Sequence, residues 1–241
     1  MAPIFPLAEL SFEGDYLLDF QTLVKSRRSI RGYKIDPVPK ALIDEVIEVA
    51  KGAPSSMNTQ PWYVHVVTGE PLDRIRAGNT EKMMGGAKPQ RDIPTREAYE
   101  GIHRQRQVDI AKQLFAVMGI ERHNKEKRMD WVMRGFRQFD APVSLVLTYD
   151  KILEPATISH FDLGAISYAL CLAAWERGLG TVINGQGIMQ SAVVREHANI
   201  PDDQNIMICI ALGYPNDDFA ANNVKAVRAD NKDFVTYHGF D

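Results

Sequence analysis

Ala53-Pro54-Ser55-Ser56-Met57-Asn58-Thr59-Gln60-Pro61-Trp62 cannot form regular structure. Two prolines and five small or medium polar side chains fall within ten residues, and each proline removes a backbone donor and biases its predecessor away from helix. Yet the stretch runs directly into Trp62-Tyr-Val-His-Val-Val-Thr68, whose β-branched and aromatic content predicts a strand. Before it, Leu42, Ile43, Val46, Ile47 and Ala50 recur at helical spacing, with Asp44, Glu45 and Glu48 outside, Pro39 in the first turn and Gly52 at the end. A polar irregular loop at the entrance of a strand is where binding groups concentrate, although the same residues also suit a plain surface connection.

Working outward, residues 15–26 place Leu17, Phe20, Leu23 and Val24 on one helical face, with Asp15 and Asp19 near the start. That predicts an amphipathic helix leading into Arg27-Arg28-Ser29-Ile30-Arg31. Pro142–Thr148 and Asn205–Gly213 read as further strands, and 190–198 as a short helix. Residues 157–177 predict a long helix, apolar almost all round from Leu163 to Trp175. Such a helix is buried on more than one side, as a central helix or a subunit interface. Weak helical patterns recur around 72–84, 97–118 and 122–136, too thin in apolar residues for a core of their own. We therefore expect one domain over 1–241, with a helical excursion at about 71–140 and, from Ala220 to Asp241, an extended C-terminal arm.

The chain of 241 residues has a net charge of −3, which gives no general case for nucleic-acid binding. The charge is uneven, since residues 71–140 hold 15 Lys and Arg against 10 Asp and Glu. Cys171 and Cys209 lie in separate apolar runs without a Cys-x-x-Cys pair, so both are expected buried and reduced, as in a cytoplasmic protein. Met1 to Leu10 lacks a leader pattern, and no apolar run approaches a membrane span, so neither secretion nor a membrane is expected.

Several chemistries are not encoded. Gly180-x4-Gly185 lacks the Lys-Ser/Thr of a P-loop, and Gly185-Gln-Gly187 lacks the third glycine of a dinucleotide fingerprint. There is no Gly-x-Ser-x-Gly, and the six histidines never fall at metal-ligand spacing. His65 reads as a satisfied structural residue on its strand. What remains is Arg27–Arg31, where three guanidinium groups and a hydroxyl suit a phosphate. Equally, basic residues at a helix end complement the macrodipole and can be a solvated run.

Taken in order, Arg27-Arg-Ser-Ile-Arg31, Ala53–Trp62 and Gly178-Leu-Gly-Thr-Val-Ile-Asn-Gly185 resemble the FMN-dependent nitroreductase family, and Asn223-Val-Lys-Ala-Val-Arg228 is similar to that family's C-terminal basic element. The resemblance implies an α+β fold with a mixed, mostly antiparallel sheet flanked by helices. It also implies an intertwined homodimer with FMN at the interface. By the same resemblance Arg27, Arg31 and Arg228 clamp the FMN phosphate, assisted by Ser29 and Lys225, with Arg28 near the phosphate or ring. Pro54, Ser55 and Ser56 line the ring from the partner subunit. Asn58 bonds its pyrimidine edge, with Gln60 a further candidate. Ile183, Asn184 and Gly185 run beside the ring, and Gly185 permits a close approach of the backbone N–H to N5. Relatives often carry Glu where this chain has Asn184, which implies less negative surroundings for the ring.

The implied activity is NAD(P)H-dependent reduction of nitroaromatics by a ping-pong cycle, with the chemistry on FMN and no side chain as nucleophile. Quinone reduction, reductive dehalogenation and a non-catalytic flavin carrier are the alternatives. The basic excursion suggests an anionic acceptor such as a nitrobenzoate, or NADPH as donor, against a plain solvated surface. Trp131, Phe136 and Phe139 are candidates to stack on the substrate, against ordinary core packing.

Overall fold

The computed structural model describes residues 19–94, 98–154 and 157–240. Strand β2 (Val143–Asp150) is buried along nearly its whole length, and the sheet is built around it. It pairs antiparallel with β1 (Tyr63–Thr68) on one side and β4 (Gln204–Gly213) on the other. Beyond β4 lies β3 (Gly180–Asn184), also antiparallel, which gives the order β1-β2-β4-β3.

Side chains alternate across the sheet and meet a separate helical layer on each face. Leu145, Leu147, Ile210 and Leu212 pack against α2 (Lys40–Ala50) and α6 (Ile158–Glu176) through Val46, Leu163, Ile166 and Leu170. Val146, Ile206 and Cys209 meet Leu72, Ile75 and Val194 of α3 (Gly69–Met84) and α7 (Ser191–Ala198). Both cysteines are free and buried, as expected. His65 is satisfied by Thr148 and the Gln204 side chain, at 3.1 and 2.9 Å.

Helix α1 (Phe20–Ser26) starts later than the pattern suggested, because the Asp19 carboxylate caps it by accepting from the Gln21 and Thr22 amides. Residues 15–18, like Met1–Leu10, lie outside the described residues. The turn after α6 was given no element in the sequence; it forms β3, and Ser29 bridges Thr181 in parallel along its free edge. The Ile30 amide donates to the Thr181 carbonyl at 2.9 Å. Close approach requires Gly180, where a Cβ would sit 2.6 Å from Ile30 Cγ1. The sheet is therefore mixed at the edge that carries Arg27–Arg31.

Three expectations need correction. The segment 71–140 is helical but partly internal: α3 contributes Leu72 and Ile75 to the core, and α5 (Lys125–Phe136) lies against α3 with Met133 and Phe136 buried. Only α4 (Gly101–Val117) lies at the periphery, held through Leu114. The arm is shorter than expected, because the turn Ala220–Asn223 buries Ala221 and Asn222, and Val224 joins the Leu114 cluster. Lastly, α6 is long and apolar enough to cross a membrane by length and composition, although half of that window is buried inside the fold and includes Ser159, Asp162 and Ser167. Its uncovered side carries Ile158, Phe161 and Tyr168, a single stripe at helical spacing, with Phe161 74% exposed.

Candidate functional site

Where α1 meets the β3 edge, the chain opens a cavity of about 320 Å³. Arg27, Arg28, Ser29 and Arg31 line one side, and Lys225 and Arg228 line the other. The tail reaches this place because Ala221 and Val224 are anchored in the core beside Leu114. Among the described residues no carboxylate lies within 4.0 Å of these five cations. Arg27 Nε is sealed from solvent without a partner, and burial pushes the Arg31 guanidinium below its ordinary pKa. Several forked donors and a hydroxyl around one small space, with no internal counter-charge, suit a phosphate monoester.

The residue that shapes this cavity is one the sequence did not flag. Asn222 is 2% exposed, and its Oδ1 accepts from the amides of Arg31 (2.7 Å) and Gly32 (3.1 Å). Its Nδ2 donates to the carbonyls of Gly32 (2.7 Å) and Asn216 (2.9 Å). One side chain thus ties the Arg-rich strip to the tail across 190 residues of sequence. Nothing in its surroundings marks it out, since an Asn in an aperiodic tail reads as a turn residue. Arg28 is also partly structural: its Nε donates to the Asn222 carbonyl at 2.6 Å, and its guanidinium lies 5.3 Å from the Trp175 ring centroid.

From Thr181 the strand β3 leads away from the cavity to Ile183, Asn184 and Gly185, a reach of roughly 13 Å at the usual strand rise. Ile183 is half exposed. The Asn184 side chain faces inward: its Nδ2 donates to the Gly135 carbonyl (2.8 Å) and its Oδ1 accepts from the Gln186 amide (2.9 Å). It therefore offers only backbone to the outside. Arg91, which the sequence reading missed, stands over Gly185.

The loop Pro54–Gln60 lies elsewhere. The Ser56 amide donates to the buried Asp162 carboxylate of α6 at 3.2 Å, and Ser55 Oγ accepts from the Gln60 amide at 3.0 Å. Met57, Asn58 and Gln60 all have positive φ, conformations that persist in non-glycine residues only when the surroundings hold them. Pro54, Asn58 and Gln60 are exposed. Asp162 and Trp175 mark opposite ends of α6, so within one chain the loop and the Arg-rich cavity are about 20 Å apart along the helix axis. They are not brought together in a single chain.

Phe136 and Phe139 are 4% and 7% exposed and belong to the interior, which corrects their assignment as substrate platforms. Trp131 is partly buried against Phe139 and the Leu114 cluster. Phe136 ends α5 on its buried side, and Phe139 follows in the turn Gln138–Asp140. The described basic residues of 71–140 do not converge on the Arg-rich cavity either. Arg76 bonds Asp73 and the carbonyls of Arg137 and Ala141. Arg134 and Arg137 pair with Asp140, while Arg104, Arg106, Arg122, Lys125, Lys127 and Arg128 are exposed.

The nitroreductase family model matches residues 24–214. Chloronitrobenzene nitroreductase of Comamonas testosteroni is 35% identical over 221 residues, covering 89% of this chain and 95% of that one. 4-Nitrobenzoate reductase of Pseudomonas putida is 30% identical over 229 residues, covering 92% and 97%. Among solved structures, the FMN-dependent nitroreductase NfnB from Mycobacterium smegmatis, in complex with NADPH, superposes with a TM-score of 0.84 at 26% identity, covering 90% of this chain and 97% of that one.

Replacing Asn222 strips four hydrogen bonds from a buried position. Asn222→Ala is expected to cost about 2–4 kcal/mol in denaturant unfolding, and to accelerate hydrogen exchange at the Arg31 and Gly32 amides selectively. Unchanged exchange at those two amides would contradict the clasp.

Proposed function

The chain belongs to the nitroreductase family, and on that premise we propose that it is an FMN-dependent NAD(P)H oxidoreductase that reduces nitroaromatic compounds. The observation that carries the proposal is the cavity between α1, β3 and the tail. Five of its lining cations lack a counter-charge among the described residues, and Arg27 Nε is buried without a partner. The donor set fits the FMN phosphate: Arg27, Arg31 and Arg228 would hold its oxygens, with Ser29 and Lys225 beside them. The strand from Thr181 leads from the cavity to Gly185, so Ile183, Asn184 and Gly185 would border the ring. FMN, when bound, supplies the two-electron chemistry between NAD(P)H and the nitro group, donor and acceptor using one site in turn. In the first reduction the nitroarene takes a hydride equivalent and a proton and leaves as the nitroso compound and water. No side chain is required as nucleophile; the chain binds, orients and excludes water.

The second part of the proposal is a homodimer. Loop 54–60 cannot reach the cavity of its own chain, but it is pinned to one end of α6 while the cavity lies at the other. Antiparallel pairing of two α6 helices through Ile158, Phe161 and Tyr168 would place each loop over its partner's site. Pro54, Ser55, Ser56 and Asn58 would then close on the ring. The stripe is the right kind of surface, because large apolar side chains at one face are otherwise costly to leave in water. A cytoplasmic location follows from dependence on NAD(P)H. Apart from Arg91, the described basic residues of 71–140 are paired or outward-facing, so no strong preference between neutral and anionic nitroarenes is expected.

Two outcomes check this reading. Purified protein should absorb near ~450 nm, bleach with NAD(P)H in the absence of oxygen, and recover when a nitroarene is added; kcat/KM should differ by less than about threefold between nitrobenzene and nitrobenzoate at moderate salt, where exposed charges are screened. Bleaching without recovery would favour dehalogenation or a carrier role instead. Separately, Phe161→Asp should convert the dimer to monomer by sedimentation and release FMN with it. A monomer that keeps FMN as tightly as the parent protein would refute the shared site.

A further inference from the structure

Arg91 sits where β3 ends, on a segment fixed at both sides. The Gln90 amide donates to the Met189 carbonyl at 2.8 Å, and the Gln90 carbonyl accepts from the Ser191 amide at 3.1 Å. On the other side the Asp92 carboxylate accepts from Arg195 Nη2 at 2.6 Å and from the Ile206 amide at 2.8 Å. Between these anchors the guanidinium extends to Gly185, where a Cβ would lie 3.0 Å from Arg91 Nη1. Any side chain other than hydrogen at position 185 would therefore push against it.

For a cation in this position Arg91 has little company. Its Nη2 reaches the Met207 carbonyl at 3.4 Å, and its Nε is sealed from solvent with no partner. No carboxylate of the described residues lies within 4.0 Å, and Asp92, its neighbour in sequence, is taken by Arg195. Burial pushes its pKa below the ordinary value. A guanidinium cannot shed its proton to escape such a setting. Held without a counter-charge beside the turn that borders the ring, it is complementary to an electron-rich carbonyl edge.

We propose that Arg91 contacts the carbonyl-rich pyrimidine edge of bound FMN and favours the reduced form of the cofactor over the oxidised form. The proposal rests on the FMN reading above. Its physical basis is charge. Two electrons and one proton taken up by the ring leave one additional negative charge, and a nearby, partly desolvated cation stabilises that charge more than it stabilises the neutral ring. Arg91 would thereby act in the same direction as the neutral Asn184, whose side chain is turned inward and adds no negative charge beside the ring. It would also link reduction of the cofactor to the α3–α4 connection, the stretch that carries Arg91.

The test compares the holoenzyme with Arg91→Met and Arg91→Lys, measuring FMN affinity by fluorescence and the two-electron midpoint potential by dye equilibration. Arg91→Met is expected to weaken binding of reduced FMN about tenfold more than binding of oxidised FMN, which lowers the potential by ~30 mV for a two-electron couple. Arg91→Lys keeps the charge and should retain most of the wild-type potential. A role in packing alone would not separate Met from Lys in this way. If Arg91→Met does not fold, Arg91→Gln takes its place against Lys. Flavin-loaded Arg91→Met with the wild-type potential would overturn the proposal and leave the FMN reading intact. So would a variant whose only defect is a raised KM for nitrobenzoate, which would place Arg91 on the substrate. A wild-type protein that does not bind FMN would bring down both.

Discussion

Six cations line one small cavity in this protein, and among the described residues no carboxylate lies within 4.0 Å of five of them, Arg27, Arg28, Arg31, Lys225 and Arg228. Like charges a few ångströms apart repel even at the effective dielectric of a protein surface, by an amount comparable with a sizeable part of a domain's stability. Such a cluster persists only if the surrounding structure over-determines it. Here the Arg27–Arg31 strip is bridged to β3 through Thr181, Arg28 rests on Trp175, and Asn222 binds the strip to the tail. A dianionic phosphate would relieve the repulsion and satisfy the buried Arg27 Nε together. On the proposed reading, the phosphate of FMN would stabilise the folded state as well as occupy the cavity, since any species that binds only the native form stabilises it.

The same constraint explains the architecture of α6. One end of this helix carries Trp175 under Arg28, and the other carries Asp162 under loop 54–60. Within a chain the helix keeps the loop and the cavity apart; in the proposed two-fold pair it would align the loop of one copy with the cavity of the other. Its apolar stripe, exposed in the single chain, would then be the seam on which the site depends. Folding, association and cofactor binding would be linked through one element.

Much of this was legible in the sequence where a pattern repeats over several residues. The α2 helix shows a periodicity long enough to set element and face, while the strands β1, β2 and β4 and the long α6 helix were legible as elements from their length and apolar content. The Arg27–Arg31 strip and the Pro-Ser-Ser-x-Asn-x-Gln-Pro-Trp loop stood out only as an ordered set, since each alone also suits a solvated run or a surface connection. Other features could not be read. Strand β3 has only five residues and begins with glycine, so its pairing is decided by β4 and by Ile30 rather than by propensity. Asn222 and Arg91 owe their roles to contacts across roughly a hundred residues or more, which no local window contains. Phe136 and Phe139 misled for the opposite reason: an aromatic ring suits a substrate platform and a core equally, and only the placement of α5 against α3 decides between them.

The central claim is that the cation cavity reads a phosphate and that the rest of the site follows from it. Comparing the affinities of the apoprotein for FMN and for riboflavin, which differ only by that phosphate, tests it directly. FMN should bind roughly 100-fold or more tightly than riboflavin, as expected for two or more charge-assisted hydrogen bonds. The preference should shrink as salt rises and collapse in Arg27→Ala. Equal affinity for the two flavins, or a preference untouched by Arg27→Ala, would contradict the account.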